Sequence, residues 1–138
     1  MGLDQHAHLR NAKIDWAKYY SEEEYSGEPQ VFVWRKHARL QQFMAVKFAE
    51  QNPQDKDPGS FNLGFNGGPL TITKEIVNEL EKAIDNNYYD YFAADGYFWG
   101  QQYQEESVKD YKDQDTEFLQ WCKDELSNGN QPEYYCSW

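Results

Sequence analysis

Between residues 69 and 86 the chain reads "PLTITKEIVNELEKAIDN", and its hydrophobic period changes within a few residues. "PLTI" is a short strand-like run, whereas Ile76, Val77, Leu80 and Ile84 return at the spacing of about 3.6 that puts side chains on one stripe of a helix. Thr73 stands where a helix N-cap is needed, and Glu75 in the first turn suits the positive end of the helix dipole. A chain that passes so abruptly from strand to helix must combine sheet and helix in one core.

Other segments follow the same two periods. "LDQHAHLR" alternates, with Leu3, Gln5, Ala7 and Leu9 on one side and Asp4, His6 and His8 on the other, so the two histidines share a strand face. "VFVWRKHARLQQFMAVKFAEQN" predicts a helix whose stripe runs through Val33, His37, Leu40, Met44 and Phe48, widened by Trp34, Ala38 and Ala45. Arg35, Lys36 and Arg39 then form a basic patch on its margin. "QNPQDKDPGS" is a loop, Phe61, Leu63 and Phe65 alternate as a strand, and "NGG" signals a tight turn. "YYDYFAADGYFWG" reads as a loop followed by a strand through Tyr97, Phe98 and Trp99, bracketed by Gly96 and Gly100. One long helix is predicted over about Glu105 to Leu126, with Val108, Tyr111, Asp115, Phe118, Leu119 and Cys122 on one stripe and acidic residues on its other faces. "EYYCSW" is expected as an edge strand. The sum is a single α+β domain over residues 1–138, a small, mostly antiparallel sheet packed against about three helices.

Charge and cysteine usage narrow the function classes. The 138 residues carry a net charge of -11, unevenly: residues 1–69 hold 8 Lys/Arg against 9 Asp/Glu, residues 70–138 hold 5 against 15. Such a field repels phosphate backbones, so direct nucleic-acid binding is not expected, and a protein partner with a basic surface suits it better. No apolar run approaches the roughly 18 residues of a membrane helix. Cys122 and Cys136 have neither metal spacing nor a disulfide pattern; both are expected as reduced thiols, Cys122 in the core and Cys136 half exposed. With Trp 5, Tyr 11 and Phe 8 beside few aliphatic residues, the core is expected to be built from rings.

The opening "MGLD", the "WRK" segment, "PLTITKEIVNELEKAI" and "DGYFWGQQYQEESVKDYKDQDTEFLQW" together resemble a family of small uncharacterised bacteriophage proteins. The matching positions are Gly2, Leu3, Asp4, Trp34, Arg35, Lys36, Gly96, Phe98, Gly100 and Tyr103. The resemblance implies an accessory role in host takeover or counter-defence, in the host cytoplasm, and no established activity. There is no G-x-x-x-x-G-K-[ST] loop to support a kinase.

The candidate binding residues are therefore Gly2, with a free amino end once Met1 is removed, Asp4, Trp34, Arg35, Lys36, Tyr97, Trp99 and Tyr103. Arg35 offers a planar fork to a carboxylate or phosphate, or pairs internally with Asp4. The exposed rings suit a protein contact or a homodimer seam. No cofactor is implied, and the expected function is binding a host or phage macromolecule without catalysis. The competing class is a small metal-dependent hydrolase using His6 and His8 of the H-x-H pair with His37 and a carboxylate.

Overall fold

The computed structural model describes residues 4–10, 12, 30–52, 67–89 and 101–137, with the backbone alone for 101–104. Strand β1 (Asp4–Leu9) realises the expected alternation: Gln5 and Ala7 are buried, Asp4 is exposed, and His6 and His8 are half-buried on the opposite face. β2 (Phe32–Arg35), β3 (Gly67–Thr71) and β4 (Pro132–Ser137) complete a four-stranded sheet in the order β2-β1-β4-β3, every pair antiparallel. The four described helices are α1 (Ala38–Gln51), α2 (Lys74–Asp85), α3 (Gln101–Asp110) and α4 (Lys112–Ser127). These elements form one α+β domain.

Three expectations are corrected. The helix expected from the "VFVW" run begins only at Ala38, because Phe32–Arg35 is a strand with Phe32 and Trp34 buried inward. Val33 and His37 match a helical step by coincidence; the aromatic and β-branched run fits a half-buried pleat better. The long acidic helix is two helices, since Tyr111 departs from helical geometry at φ -98, ψ 4. No proline or glycine marks the break. Finally, β4 lies between β1 and β3 instead of at an edge, which buries Cys136 beneath the Gln41 amide.

One face of the sheet carries the core. Ala7, Phe32, Trp34, Leu70, Tyr134 and Cys136 meet Leu40, Phe43 and Met44 of α1, Ile76, Val77, Leu80 and Ile84 of α2, and Phe118, Leu119 and Cys122 of α4. Rings dominate where β2 meets α4: Trp34 stands edge-on to Phe118 at 5.0 Å, and Phe32 lies 5.3 Å from the same ring. Such pairs add about 0.5–1.5 kcal/mol beyond the area they bury. Thr73 caps α2 as expected, its hydroxyl accepting from the Ile76 amide at 3.2 Å. Lys123 of α4 reaches Glu81 of α2 at 2.7 Å, and Lys47 of α1 reaches Glu79 of α2.

Gly67 and Gly68 of "NGG" start β3 at its register shift, and Asn66, where the expected turn would begin, lies outside the described residues. Gly68 has φ +129, and a Cβ there would lie 2.9 Å from the Tyr134 carbonyl oxygen. Both facts demand glycine. Gly68→Ala should therefore lower unfolding stability by about 1–3 kcal/mol, read as a shift in the urea midpoint; an unchanged midpoint would show that β3 does not need this approach. The segments 53–66 and 90–100, with the expected strands through Phe61–Phe65 and Tyr97–Trp99, lie outside the described residues.

Candidate functional site

The side chains with the most chemical potential converge on Asp115. Trp34 of β2 donates its indole N–H to Oδ1 at 2.7 Å, while the Tyr88 hydroxyl donates to Oδ2 at 2.8 Å. His37 Nε2 also lies 2.8 Å from Oδ2. An Nε2–H tautomer makes all three groups donors to one carboxylate. Asp115 and His37 are both buried, and the imidazole lies flat on Tyr111 at 5.3 Å and edge-on to Tyr88 at 5.2 Å. Burial, with Asp115 second, pushes the Tyr88 phenol well above its ordinary range, so it stays a donor.

Around this carboxylate the chain is clamped. The Gln5 side chain accepts from the His37 backbone N–H at 2.9 Å and donates to the His37 carbonyl at 3.1 Å. It thereby anchors the N-cap residue of α1, whose own side chain makes no cap hydrogen bond. Gln5 also donates to the Tyr134 hydroxyl, which donates onward to Gln41 at 2.5 Å, and Gln41 donates to Cys136 Sγ. The outer edge of β2 is covered as well: the Tyr111 hydroxyl accepts from the Arg35 N–H, and the Gln114 amide donates to the Val33 carbonyl. Tyr88 reaches Asp115 from a backbone at φ 55, directly after Asn87 at φ 59. Two successive non-glycine residues in the left-handed region are costly, and they persist where surrounding bonds over-determine them.

A histidine bonded to a carboxylate at one nitrogen is the core of many proton-transfer sites. Here His37 has no accessible surface, and its Nδ1 has no hydrogen-bond partner among the described residues. The pair acts as a brace between sheet and helix. Asp115 and Gln5 were each visible in the sequence as a polar residue on an otherwise apolar face, and that mismatch was the signal for a buried network. Tyr88 carried no comparable signal.

The sequence-chosen residues separate. In "WRK", Trp34 points inward and has no surface to offer a partner, Arg35 points outward, and Lys36 turns the chain at φ 57. Arg39, expected on the same basic margin, is buried and donates to the Asn87 carbonyl. Arg35 does meet Asp4, Nε to Oδ1 at 3.4 Å, but the two side chains are 76% and 64% exposed. An ion pair so solvated contributes at most about 1 kcal/mol.

His6 and His8 stack 5.5 Å apart, and Tyr135 lies 4.9 Å from each. His37 is on the other face of the sheet, so the three histidines are not brought together. Among the described residues no group of three or more His, Cys, Asp or Glu is disposed to hold a metal ion. Burial, and then the neighbouring His8, lower the His6 pKa from 6.5 to about 4. Gly2, Tyr97 and Trp99 lie outside the described residues, and of Tyr103 only the backbone in α3 is described.

The acidic helix faces are more coherent. Glu106 and Asp110 of α3 and Asp113, Glu117 and Asp124 of α4 are exposed, and within α4 the steps of four and seven keep the last three on one side. Asp110, Asp113 and Glu117 have no cationic partner among the described residues. No helix among the described residues is long and apolar enough to cross a membrane. No family model matches the chain, and no curated protein or solved structure matches it either.

Two outcomes follow from this geometry. Trp34→Phe keeps the ring but strands Asp115 Oδ1, and should cost about 1–3 kcal/mol in denaturant unfolding. Arg35→Ala should change stability by less than about 1 kcal/mol. The reverse order would make the surface ion pair the brace. A lowered histidine pKa means that the unfolded chain binds the proton first as pH falls. His6 therefore draws stability away between pH 6.5 and about 4. His6→Gln should flatten the stability profile in that window, and an unchanged slope would remove His6 as its cause.

Proposed function

We propose that this chain is a bacteriophage accessory protein of the host cytoplasm that works by binding, without catalysis, a host or phage protein with a basic surface. The observation that carries the reading is the exposed row Asp113, Glu117 and Asp124 on one side of α4, with exposed Asp110 at the end of α3; Asp110, Asp113 and Glu117 have no cationic partner among the described residues. In a chain of net charge -11 such a row accelerates capture of a basic partner and discourages nucleic acid. Two further facts favour binding over chemistry. His37 and Asp115 hold the fold together, and the described histidines of the H-x-H pair are stacked on a tyrosine. The resemblance to small phage proteins supplies the accessory role.

The row can be neutralised without touching the core, because exposed substitutions away from packing features change stability by about 0.5 kcal/mol or less. Tagged wild-type protein and the variant Asp110→Asn/Asp113→Asn/Glu117→Gln are compared in affinity capture from phage-infected host cells. A specific partner should appear with the wild type, leave as salt is raised, and be absent with the variant. Identical captured sets from both proteins would dismiss the acidic row as the binding surface.

A further inference from the structure

Across Tyr111 the chain is close to a single helix. The Tyr111 N–H donates to the Ser107 carbonyl at 3.0 Å, and the Asp115 N–H donates to the Tyr111 carbonyl at 2.8 Å. Bonds of helical spacing therefore lead into and out of the break. The backbone at φ -98, ψ 4 departs from the helical values of about -63° and -42°. Tyr111 also makes no side-chain cap for the first turn of α4, whose N–H groups a continuous helix would satisfy.

The Tyr111 side chain holds the bend. Its ring lies flat on the His37 imidazole at 5.3 Å, and its hydroxyl accepts from the Arg35 N–H at 2.9 Å and donates to the Arg35 carbonyl at 3.4 Å. These contacts tie the break to β2 and to the entry of α1. By contrast α3 is lightly held: of its described side chains Ser107 and Val108 are buried, and Ser107 donates to the Lys36 carbonyl at 3.4 Å. Elements with few buried contacts are those that open at low free energy.

The bend also divides the carboxylates. Asp113, Glu117 and Asp124 share one side of α4, while Asp110 belongs to α3. In one continuous helix the steps of three, four and seven from Asp110 through Asp113 and Glu117 to Asp124 would put all four on a single stripe, about 21 Å long. Like charges at such spacing repel, so the free chain resists straightening. A basic partner that neutralises them binds the straight form better and draws the equilibrium toward it.

We propose that Tyr111 is a latch that keeps α3 and α4 bent in the free protein, and that a basic polypeptide captures the straightened form with its continuous acidic stripe. This rests on the reading of the acidic row as the binding surface and adds how that surface is completed.

Spin labels on Lys109→Cys and Ser127→Cys in the full chain measure the bend by electron–electron resonance, because both native thiols are buried. A continuous helix would separate these positions by about 27 Å. With Tyr111 intact the distance should be shorter. Tyr111→Ala should lengthen it toward that value, and Tyr111→Phe, which loses only the hydroxyl bonds, should shift part of the population the same way. Poly-L-lysine added to the chain with Tyr111 intact should also lengthen it. A distance already near 27 Å with Tyr111 intact would overturn the latch, as would an unchanged distance in a Tyr111→Ala variant whose circular dichroism spectrum shows it folded. Should that variant not fold, an unchanged distribution in Tyr111→Phe would overturn it. Poly-L-lysine that binds without lengthening the distance would overturn the coupling and leave the acidic row as the binding surface, whereas no binding of poly-L-lysine would overturn both.

Discussion

The rest of the structure depends on one carboxylate. Asp115 sits in the middle of an apolar helix stripe, where an unsatisfied charge would cost several kcal/mol, and three donors from three different parts of the chain make it tolerable. Trp34 brings β2, His37 brings the entry to α1, and Tyr88 brings the turn after α2. Apolar packing brings these elements near one another without fixing their relative rotation, because it is non-directional. The hydrogen bonds to Asp115 fix it. Gln5 extends the same logic to β1 by holding both backbone groups of His37.

This arrangement decides which surfaces remain for function. Because Trp34 and His37 are turned inward, the "WRK" segment presents only Arg35 and Lys36 to solvent, and the outer face of β1 presents stacked imidazoles beside Tyr135. Charge is then sorted by the two C-terminal helices. Their exposed sides carry a carboxylate row, while the junction of α3 and α4 with the end of α2 gathers Lys109 and Lys112 with Arg39. The described surface of this acidic chain is therefore electrostatically uneven.

Where local chemistry was self-sufficient, the sequence was legible. The alternation of β1 and the helix from Lys74 with its Thr73 cap need no distant partner to declare themselves, and both stand as read. Elements fixed by distant partners are less legible. Phe32–Arg35 shares spacing with a helix, and its pairing with β1 and the bonds to Tyr111 and from Gln114 settle its aromatic and β-branched run as a strand. The break at Tyr111 has no glycine or proline to announce it; the side chain leaves the helix line to stack on His37. As for the site, the outward pair of Asp4 and Arg35 was foreseeable from their charges. Its small worth was not, because that depends on exposure. The polar residues Gln5 and Asp115 on apolar faces were the legible trace of the network, but their partners were beyond reach of pattern.

The central claim is that Asp115 couples the sheet to the helices through its donors. A double-mutant cycle of Tyr88→Phe and Asp115→Asn, followed by equilibrium urea denaturation, measures that coupling most directly. Each change should destabilise the fold, and the pair should cost less than the sum by about 1–2 kcal/mol, as expected for groups in one network. Additive losses would contradict the account, because Tyr88 and Asp115 would then stabilise the domain independently.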